Sequence, residues 1–428
     1  MSTSQHIALP FGNGTIRIAI AADIVVPRPV EPIANEAEAV QAALDRPIGT
    51  RPLAEIVQPG ERVAIIVNDI TRLTRTELLL PPLLATLNSA GVPDRDIFIV
   101  FALGIHRPQT LAEQRQIVGD AVAARIRMFD HICTDDANLV TVGTTSFGNV
   151  VEINRQVWEA DRIVLTGEII YHLIAGYSGG RKSLVPGVAG FRTTTFNHRM
   201  IFDPRSRQGV LEGNPAHEDL LEGCRMVDPD FLLNVVLTPE GKLARVVAGQ
   251  YELAHREGCR AVDAMSRFQI TEPYDLIVAS AGGFPLDIDL RQAHKGLENA
   301  CLALREGGSI LFFAECSNGA GIQSFKDYVY RYNDEFEMQQ ALERDFVVGG
   351  HKAFWIARLG RLYDVHLVST CDPEFVARCH FQHVPVSEHE SCLRSLLAKH
   401  GPQARVAVIP YSGFTLPAYD KVAEVVAR

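Results

Sequence analysis

The sequence predicts an α/β fold of two α/β domains with mostly parallel sheets. Short apolar, β-branched runs alternate with polar loops and with stretches of helical spacing, which is typical of open parallel sheets. The 428 residues favour two or three domains. Hydrophobic residues make up 47% of the chain and charged residues 21%, values that are ordinary for a globular protein with its own cores.

The first domain is predicted at residues 1–270. Its first strand alternates in polarity, and its later strands are continuous apolar runs, as expected in a buried parallel sheet. The predicted strands cover residues 15–20, 61–67, 97–101 and 161–167, the predicted helices residues 36–44, 77–90 and 250–266, and a hairpin residues 231–236 and 243–247.

The second domain is predicted at residues 271–410, because a connector containing proline precedes a fresh apolar strand. Residues 411–428 are expected to add a closing amphipathic helix, at residues 418–426, that packs on the first domain. The remaining predictions are strands at residues 275–280, 309–313, 365–369 and 405–409 and helices at residues 291–306 and 335–344.

Net charge and cysteine spacing exclude several classes of protein. A formal charge of −10 argues against a general nucleic-acid binder, which would carry a basic face. The eight cysteines include no Cys-x-x-Cys pair, so we expect free thiols in a reducing cytoplasm. The sequence shows no signal peptide and no apolar run of membrane-spanning length, and we expect no membrane partner. The oligomeric state stays open.

Three polar loops follow three predicted strands, at Asp69–Arg72, Gly104–Arg107 and Tyr171–Lys182. Ligands of open α/β sheets bind at the carboxyl ends of strands, so we expect these loops to converge on one edge. The third loop begins the segment richest in chemistry, Tyr171–His198, which contains two histidines, a lysine and several glycines. Glycines there allow backbone N–H groups to approach an anion.

Part of this segment, Gly176–Ser183, approaches the phosphate-binding loop pattern. Arg181 occupies the place of its second glycine, so the match fails where backbone geometry requires glycine. A nucleotide-dependent phosphotransferase therefore remains an alternative class, to be tested by binding of ATP and magnesium. A non-catalytic ligand-binding protein is a second alternative.

A second polar cluster lies in the later domain. If Asp289 caps a helix, Arg291, Gln292 and Lys295 lie near its first turn, with Arg291 and Lys295 on one face. A solvated helix face is the alternative interpretation of this cluster. Trp355 either covers a flat ligand or fills the core.

Taken in order, these motifs resemble the nickel-pincer lactate racemase family of 2-hydroxyacid racemases and epimerases. The resemblance covers nearly the whole chain, and its most specific part is the long glycine-rich motif. It implies an active site in a cleft between two α/β domains and a small 2-hydroxy acid substrate. The motifs are Asp69-x-x-Arg72, Gly104-x-His106-Arg107, His172 through Ser183, Asn197-His198, Gln292-x-x-Lys295 and Trp355.

The resemblance also implies a cofactor, the nickel-pincer nucleotide (nickel pyridinium-3,5-bisthiocarboxylic acid mononucleotide). Lys182 matches the lysine that tethers it through a thioamide, and His198 matches the imidazole ligand of nickel, which accepts nitrogen and soft sulfur ligands. The residues that the resemblance places at the cofactor are Lys182, Asp69, Thr71, Ser178, Gly179 and Trp355.

His106 and His172 match the two acid–base histidines of the family. The hydrogen on a 2-hydroxy carbon is not acidic, so the resemblance implies removal of a hydride, giving a planar 2-keto acid that rotates. A histidine on each side then serves the two positions of the oxygen. Arg72 and Lys295 are assigned both to catalysis and, with Gln292, to substrate binding, since cations fix a carboxylate and polarise the oxygen.

One departure from the family concerns the substrate. Where the lactate enzymes carry tyrosine before Gln292, this chain has Arg291. A guanidinium binds carboxylates in a bidentate manner, so we expect a substrate with a second carboxylate, such as malate. The alternative is that Arg291 turns to the cofactor phosphate, and that the substrate is lactate or another 2-hydroxy acid.

Overall fold

The computed structural model describes residues 5–347 and 349–418. The chain forms two compact units. The central unit is Val30–Ala264, and the terminal unit combines the described residues of Met1–Pro29 and Met265–Arg428. Each contains a six-stranded, mostly parallel sheet with helices, which confirms the predicted fold class. No described helix has the length and apolarity needed to cross a membrane.

The terminal unit begins with a hairpin and a short strand. These are β1 (Gln5–Phe11), β2 (Gly14–Ile20) and β3 (Asp23–Ile24). β1 and β2 pair in antiparallel register along their whole length, from Gln5 with Ile20 to Phe11 with Gly14. The strand predicted at residues 15–20 is thereby confirmed.

The central unit contains the next ten strands and nine helices. Its strands are β4 (Val63–Asn68), β5 (Ile97–Ala102), β6 (Arg127–Asp130), β7 (Leu139–Thr144), β8 (Val150–Asn154), β9 (Arg162–Glu168), β10 (Tyr171–His172), β11 (Gly176–Tyr177), β12 (Phe231–Leu237) and β13 (Leu243–Gly249). Its helices are α1 (Glu36–Asp45), α2 (Leu53–Ile56), α3 (Thr76–Ser89), α4 (Leu111–Val118), α5 (Asp120–Ala123), α6 (Arg155–Trp158), α7 (Phe191–His198), α8 (Pro215–Val227) and α9 (Tyr251–Ser266).

The central sheet has the order β13-β12-β9-β4-β5-β6, and every neighbouring pair except β13 with β12 is parallel. β12 and β13 form the predicted antiparallel hairpin. In β4 the first five residues are buried, because side chains on both faces of the sheet are covered. Five leucines of α3 pack into the same core, so the apolar helix spacing predicted there is confirmed.

Among the residues that the structure describes, the later part of the terminal unit contributes seven strands and six helices. The strands are β14 (Arg267–Gln269), β15 (Tyr274–Ser280), β16 (Leu304–Phe313), β17 (Asp364–Val368), β18 (Gln382–Val384), β19 (Val406–Ile409) and β20 (Leu416–Ala418). The helices are α10 (Leu290–Cys301), α11 (Gln323–Arg331), α12 (Glu335–Arg344), α13 (Gly350–Leu362), α14 (Pro373–Arg378) and α15 (His389–His400). The sheet order is β18-β17-β16-β15-β19-β3, and all neighbours are parallel.

Two sequence predictions need comment here. The helix predicted at residues 291–306 is too long, because α10 ends at Cys301 and Leu304 already pairs with Tyr274 as β16 begins. The closing helix predicted at residues 418–426 lies outside the described residues except for Ala418. That residue ends β20, which pairs in parallel with β14.

A buried histidine connects the end of β6 with the segment before α7. His131 is 1% exposed, and its Nε2–H donates to the carbonyl oxygen of Ala189 (2.9 Å). Its Nδ1 accepts a hydrogen bond from the amide of Asn154 (3.3 Å). Burial lowers the pKa of His131 to about 4, so the ring stays neutral in the folded protein at neutral pH.

This buried ring makes stability depend on pH. Between pH 6.5 and pH 4.5 the unfolded chain binds a proton at His131 that the folded chain does not, so the free energy of unfolding falls as pH falls. In His131→Asn we expect a dependence on pH shallower by about 1.4 kcal/mol per pH unit, the value for one proton. Urea unfolding of both proteins across this range is the measurement. Equal slopes would show that His131 does not titrate as described.

Candidate active site

The three polar loops leave neighbouring strands of the central sheet. β9, β4 and β5 lie side by side and run in parallel, so their carboxyl ends share one edge. The loops that follow them carry Asp69, His106 and His172. The predicted convergence of these loops is therefore confirmed by the strand order.

Asp69 and His106 form a hydrogen-bonded pair at this edge. Nδ1–H of His106 donates to Oδ2 of Asp69 at 2.5 Å. The other carboxylate oxygen, Oδ1, accepts from the hydroxyl of Thr71 (2.7 Å) and from the backbone N–H of Thr71 (3.2 Å). The sequence assigns Asp69 and Thr71 to the cofactor, and here their side chains bond to each other and orient His106.

The electrostatics of Asp69 suit this orienting role. Burial tends to raise its pKa, but the hydrogen bonds from His106 and Thr71 and the charge of Arg72 outweigh burial and lower the pKa overall. An ionised carboxylate on Nδ1 leaves the lone pair of the neutral imidazole on Nε2 and stabilises the imidazolium. His106, which is partly exposed, is thus arranged as a proton acceptor.

His172 lies in a short hairpin and has the opposite ring polarity. β10 and β11 pair His172 with Gly176, and the tight turn places the backbone N–H of Ala175 at 3.3 Å from Nδ1 of His172. Because Nδ1 accepts that hydrogen bond, Nε2 carries the proton of the neutral ring. His172 therefore presents a proton donor where His106 presents an acceptor.

Helix α9 supports this hairpin with two polar side chains that the sequence analysis missed, the partly buried Asp263 and the buried His255. Asp263 accepts hydrogen bonds from the hydroxyls of Tyr171 (2.8 Å) and Tyr177 (2.7 Å), whose rings lie 5.4 Å apart. Two turns earlier on the same helix, Nε2–H of His255 donates to the carbonyl oxygen of Ser178 (2.9 Å). The spacing of eight residues between the two places both on one helix face, a signal that was present in the sequence.

The glycine-rich loop is tied to the ends of β9 and β12. The hydroxyl of Ser178 donates to the carbonyl oxygen of Glu168 (2.8 Å) and accepts from the N–H of Ile170 (2.9 Å). The N–H of Gly180 donates to the side chain of Asn234 (2.8 Å). The hydroxyl of Ser178, which the resemblance places at the cofactor, is therefore engaged within the protein. Asn234 was also missed, although it interrupts an apolar strand.

Gly179 has a φ of 68°, and a Cβ there would collide with Asn234 and Ile169. Glycine is thus required for the close approach of the loop to β12. The loop continues into a 3-10 turn, Gly180–Ser183, in which the hydroxyl of Ser183 donates to the carbonyl oxygen of Thr166 (2.7 Å). The turn carries Lys182.

Lys182 lies beside a buried cation, Arg181. Burial lowers the pKa of its amine well below the ordinary value, and the positive charges of Arg181 and Arg72 add to this effect. Arg181 is 2% exposed and donates to the carbonyl oxygen of Ala175 (2.6 Å). A lysine with a lowered pKa is a neutral amine, the form that reacts as a nucleophile.

His198 closes helix α7 with a defined ring orientation. Its Nδ1–H donates to the carbonyl oxygen of Thr194 (2.7 Å), which places the lone pair of the neutral ring on Nε2. The neighbouring Asn197 is buried and donates to Asp219 on α8 (2.8 Å), so the end of α7 is fixed. A histidine held by a carbonyl oxygen at one nitrogen is a typical metal ligand through the other.

The terminal unit holds the second predicted cluster at the start of α10. Asp289 caps the helix by accepting from the backbone N–H of Gln292 (2.7 Å), as predicted. Lys295 Nζ donates to Oε1 of Gln292 (2.7 Å). The Nη2 of Arg291 lies 3.9 Å from Asp289, beyond hydrogen-bond distance. Nε of Arg291 makes no hydrogen bond within the described residues.

Trp355 lies on α13 and is half-buried. Its ring packs edge-on against Phe354 at 5.6 Å between centroids, and the guanidinium of Arg358 lies 5.4 Å from it. The indole Nε1 makes no hydrogen bond within the described part of the chain. Trp355 is therefore neither a fully buried core residue nor a freely exposed one, which fits a ring beside a ligand.

Comparison with known families agrees with this arrangement. The models of the Lactate racemase N-terminal domain and the Lactate racemase C-terminal domain match residues 11–209 and 270–415. The lactate racemase of Lactiplantibacillus plantarum is 32% identical over 383 residues, 88% of this chain and 89% of that protein. The lactate racemase of Thermoanaerobacterium thermosaccharolyticum is 34% identical over 293 residues, 68% of each chain.

Solved structures show the same relationship. The lactate racemase apoprotein from Thermoanaerobacterium thermosaccharolyticum superposes with a TM-score of 0.89 at 28% identity, covering 97% of this chain and 100% of that one. A crystal structure of a Thermotoga maritima protein, with a TM-score of 0.66 at 17% identity over 92% of this chain, shares the fold. The protein is thus a racemase, an isomerase acting at a carbon centre. Within that class the chain belongs to the lactate racemase family.

The hydrogen bond between Asp69 and His106 can be tested with a nearly isosteric substitution of Asp69. Asp69→Asn removes the charge that stabilises protonated His106, so we expect kcat for racemisation to fall by about 100-fold or more. Asp94→Asn is the control, since Asp94 is a carboxylate that pairs with Arg125 away from these loops. Kinetics of cofactor-loaded proteins, with loading checked by mass, are the measurement. A fall equal to that of the control would contradict the orienting role.

Proposed function

We propose that the protein is a nickel-pincer-dependent 2-hydroxyacid racemase in which His106 and His172 transfer the hydroxyl proton. The observation that carries this proposal is the opposite ring polarity of the two histidines, one with its lone pair on Nε2 and one with its proton there. A racemase needs one group to take a proton and another to return it on the opposite side. The free thiols of all eight cysteines support a reducing, cytoplasmic location.

The residues fit the cofactor that the family implies. Lys182 would hold it covalently, because its amine is kept neutral by burial and by Arg181. His198 would ligate nickel through Nε2, because Nδ1 is held by Thr194. When bound, the nickel-pincer nucleotide supplies a reversible hydride acceptor.

The protein's own residues move the proton. His106 accepts the hydroxyl proton of one enantiomer through Nε2 while Asp69 stabilises the resulting imidazolium. After the keto acid rotates, His172 donates from Nε2 to the oxygen, and the opposite enantiomer is formed. Arg72, Lys295 and Gln292 bind the carboxylate and polarise the oxygen.

Removal of one histidine is expected to leave at most half of this chemistry. In His106→Gln or His172→Gln, racemisation should fall by about 10³-fold, because one proton transfer is lost. In stoichiometric, cofactor-loaded enzyme quenched with acid, His172→Gln should still yield 2-keto acid from the enantiomer that His106 deprotonates, whereas His106→Gln should yield it from neither, because the neutral ring of His172 carries its proton, not its lone pair, on Nε2. In its first half-reaction the wild type should yield it from the same enantiomer as His172→Gln.

After the quench, the enantiomers of the substrate are separated by chiral chromatography, and the 2-keto acid is quantified by an assay. Keto acid from both enantiomers in either variant would show that the two histidines do not divide the task.

Arg291 supports a dicarboxylic substrate such as malate. Its guanidinium lies in the first turn of α10, beside the Gln292–Lys295 pair, with Nε unbonded within the described residues. A second carboxylate would complete a bidentate interaction there. The methyl group of lactate offers nothing for that charge to bind.

Lactate remains the second candidate for two reasons. The curated relatives of this chain are lactate racemases. The carboxylate of Asp289 also lies 3.9 Å from Arg291 and already supplies part of the opposing charge. Burial raises the pKa of Asp289, so this opposing charge is weaker than that of an exposed carboxylate.

Substrate preference separates these candidates. Chiral analysis of cofactor-loaded protein with D-malate and with D-lactate should show faster racemisation of malate, by about tenfold or more in kcat/KM. Arg291→Tyr should reverse that preference, because the bidentate partner is lost. Arg291→Lys, which keeps the charge without the planar guanidinium, is the matched control and should retain a weakened preference for malate.

Faster racemisation of lactate by the wild type would keep the racemase assignment and reject malate. An unchanged preference in Arg291→Tyr would show that Arg291 does not contact the substrate.

A further inference from the structure

Two cysteines of the terminal unit occupy equivalent places after neighbouring parallel strands. β16 and β17 pair Phe313 with Val368, and Cys316 and Cys371 each follow three residues later. Adjacent strands lie about 4.8 Å apart, close to the Cα separation that a disulfide requires. Both cysteines are free in this structure.

The backbones after the two strands stay together as far as the cysteines. The N–H of Thr370 donates to the carbonyl oxygen of Glu315 (2.9 Å), one residue before each thiol. Sγ of Cys371 then lies 4.0 Å from the carbonyl oxygen of Cys316. The two side chains are therefore neighbours, with the loops already in register.

The two thiols are chemically unequal. A hydrogen bond between them lowers the pKa of Cys371 and raises that of Cys316, and Ser369 adds to the lowering. Cys371 is also the more accessible, at 5% exposure against 1% for Cys316. The thiol with the lower pKa reacts first with an oxidant, and its buried neighbour then resolves the product.

The loop of Cys316 is bonded to the start of α10. Its N–H donates to the carbonyl oxygen of Asp287 (2.8 Å), and the N–H of Leu290 donates to the carbonyl oxygen of Gly319 in the same loop (2.9 Å). Cys316 itself has a φ of 53°, a conformation rare for a residue with a side chain. A covalent bond at Cys316 would thus act on the segment that positions Arg291.

We propose that Cys316 and Cys371 are an oxidation site that forms an intramolecular disulfide with a peroxide and thereby alters substrate binding at α10. The thiolate of Cys371 attacks hydrogen peroxide, giving a sulfenic acid and hydroxide. The thiol of Cys316 then attacks the sulfenic sulfur, forming the S–S bond and releasing water. Two thiols are oxidised and one peroxide is reduced to two waters. Only the effect on binding rests on the proposed function.

The site is tested on the full-length protein treated with hydrogen peroxide. We expect a mass loss of about 2 Da, for the two hydrogens removed, and a crosslinked peptide pair containing Cys316 and Cys371. Cys371→Ser should show neither, and Cys392→Ser, which removes a partly exposed thiol of the same unit, should behave as the wild type. Dithiothreitol should restore the mass. Absence of the crosslink between Cys316 and Cys371 would overturn the proposal. Disulfides formed between other cysteines in equal amount would overturn it as well.

The effect on binding is tested separately on cofactor-loaded enzyme. After peroxide we expect KM for the 2-hydroxy acid to rise by about fivefold or more in the wild type, to recover with dithiothreitol, and to stay constant in Cys371→Ser. Damage to the cofactor would appear equally in both proteins. A disulfide with unchanged KM would overturn its link to α10 while leaving the racemase assignment untouched.

Discussion

Parallel pairing of β9, β4 and β5 is the constraint on which the central unit's chemistry depends. Because these strands are neighbours and run the same way, their loops leave one edge at spacings set by the hydrogen-bonded ladder. Asn68 pairs with Ala102, so the loops that carry Asp69 and His106 begin from adjacent points. The hydrogen bond between Asp69 and His106 thus depends on strand register, which is set by apolar residues of the sheet.

The polar groups around the glycine-rich loop convert that position into an orientation. Asp263, His255 and Asn234 are provided by two elements beneath the loop, α9 and β12. Asp263 accepts hydrogen bonds from two tyrosines, His255 donates one to the loop, and Asn234 accepts one from it. Such groups are costly to bury unless they are bonded, so a fully bonded set selects one loop conformation. This loop conformation determines which groups surround Lys182, which lies in the turn that follows.

The sequence predicted the fold well because its signals are local. Continuous apolar strands, helical leucine spacing and the Asp289 cap each depend on a few adjacent residues, and each was confirmed. The predicted length of α10 was wrong because leucine fits the local pattern of a helix as well as that of a strand. Only the pairing of Leu304 with Tyr274 places this residue in β16. β20 was missed because three residues carry too little pattern.

For the candidate site as well, local features could be predicted from the sequence and contacts between distant residues could not. The loops could be located from the strands that precede them, but the partners within them could not. That Asp69 bonds to His106, and that Asp263 supports two tyrosines, depends on contacts between residues far apart in the chain. The ring polarities of His172 and His198 each follow from one backbone group and cannot be predicted from residue spacing.

The opposite polarity of His106 and His172 has a consequence for successive turnovers. In the proposed mechanism, once His106 has gained a proton and His172 has lost one, the protein is a different chemical species from the one that began. That species is ready only for the enantiomer it has just made. Before it can accept the first enantiomer again, the two rings must exchange protons with water. Recovery of the original protonation state of the free enzyme is therefore a separate step, and at high substrate concentration it would be rate-limiting.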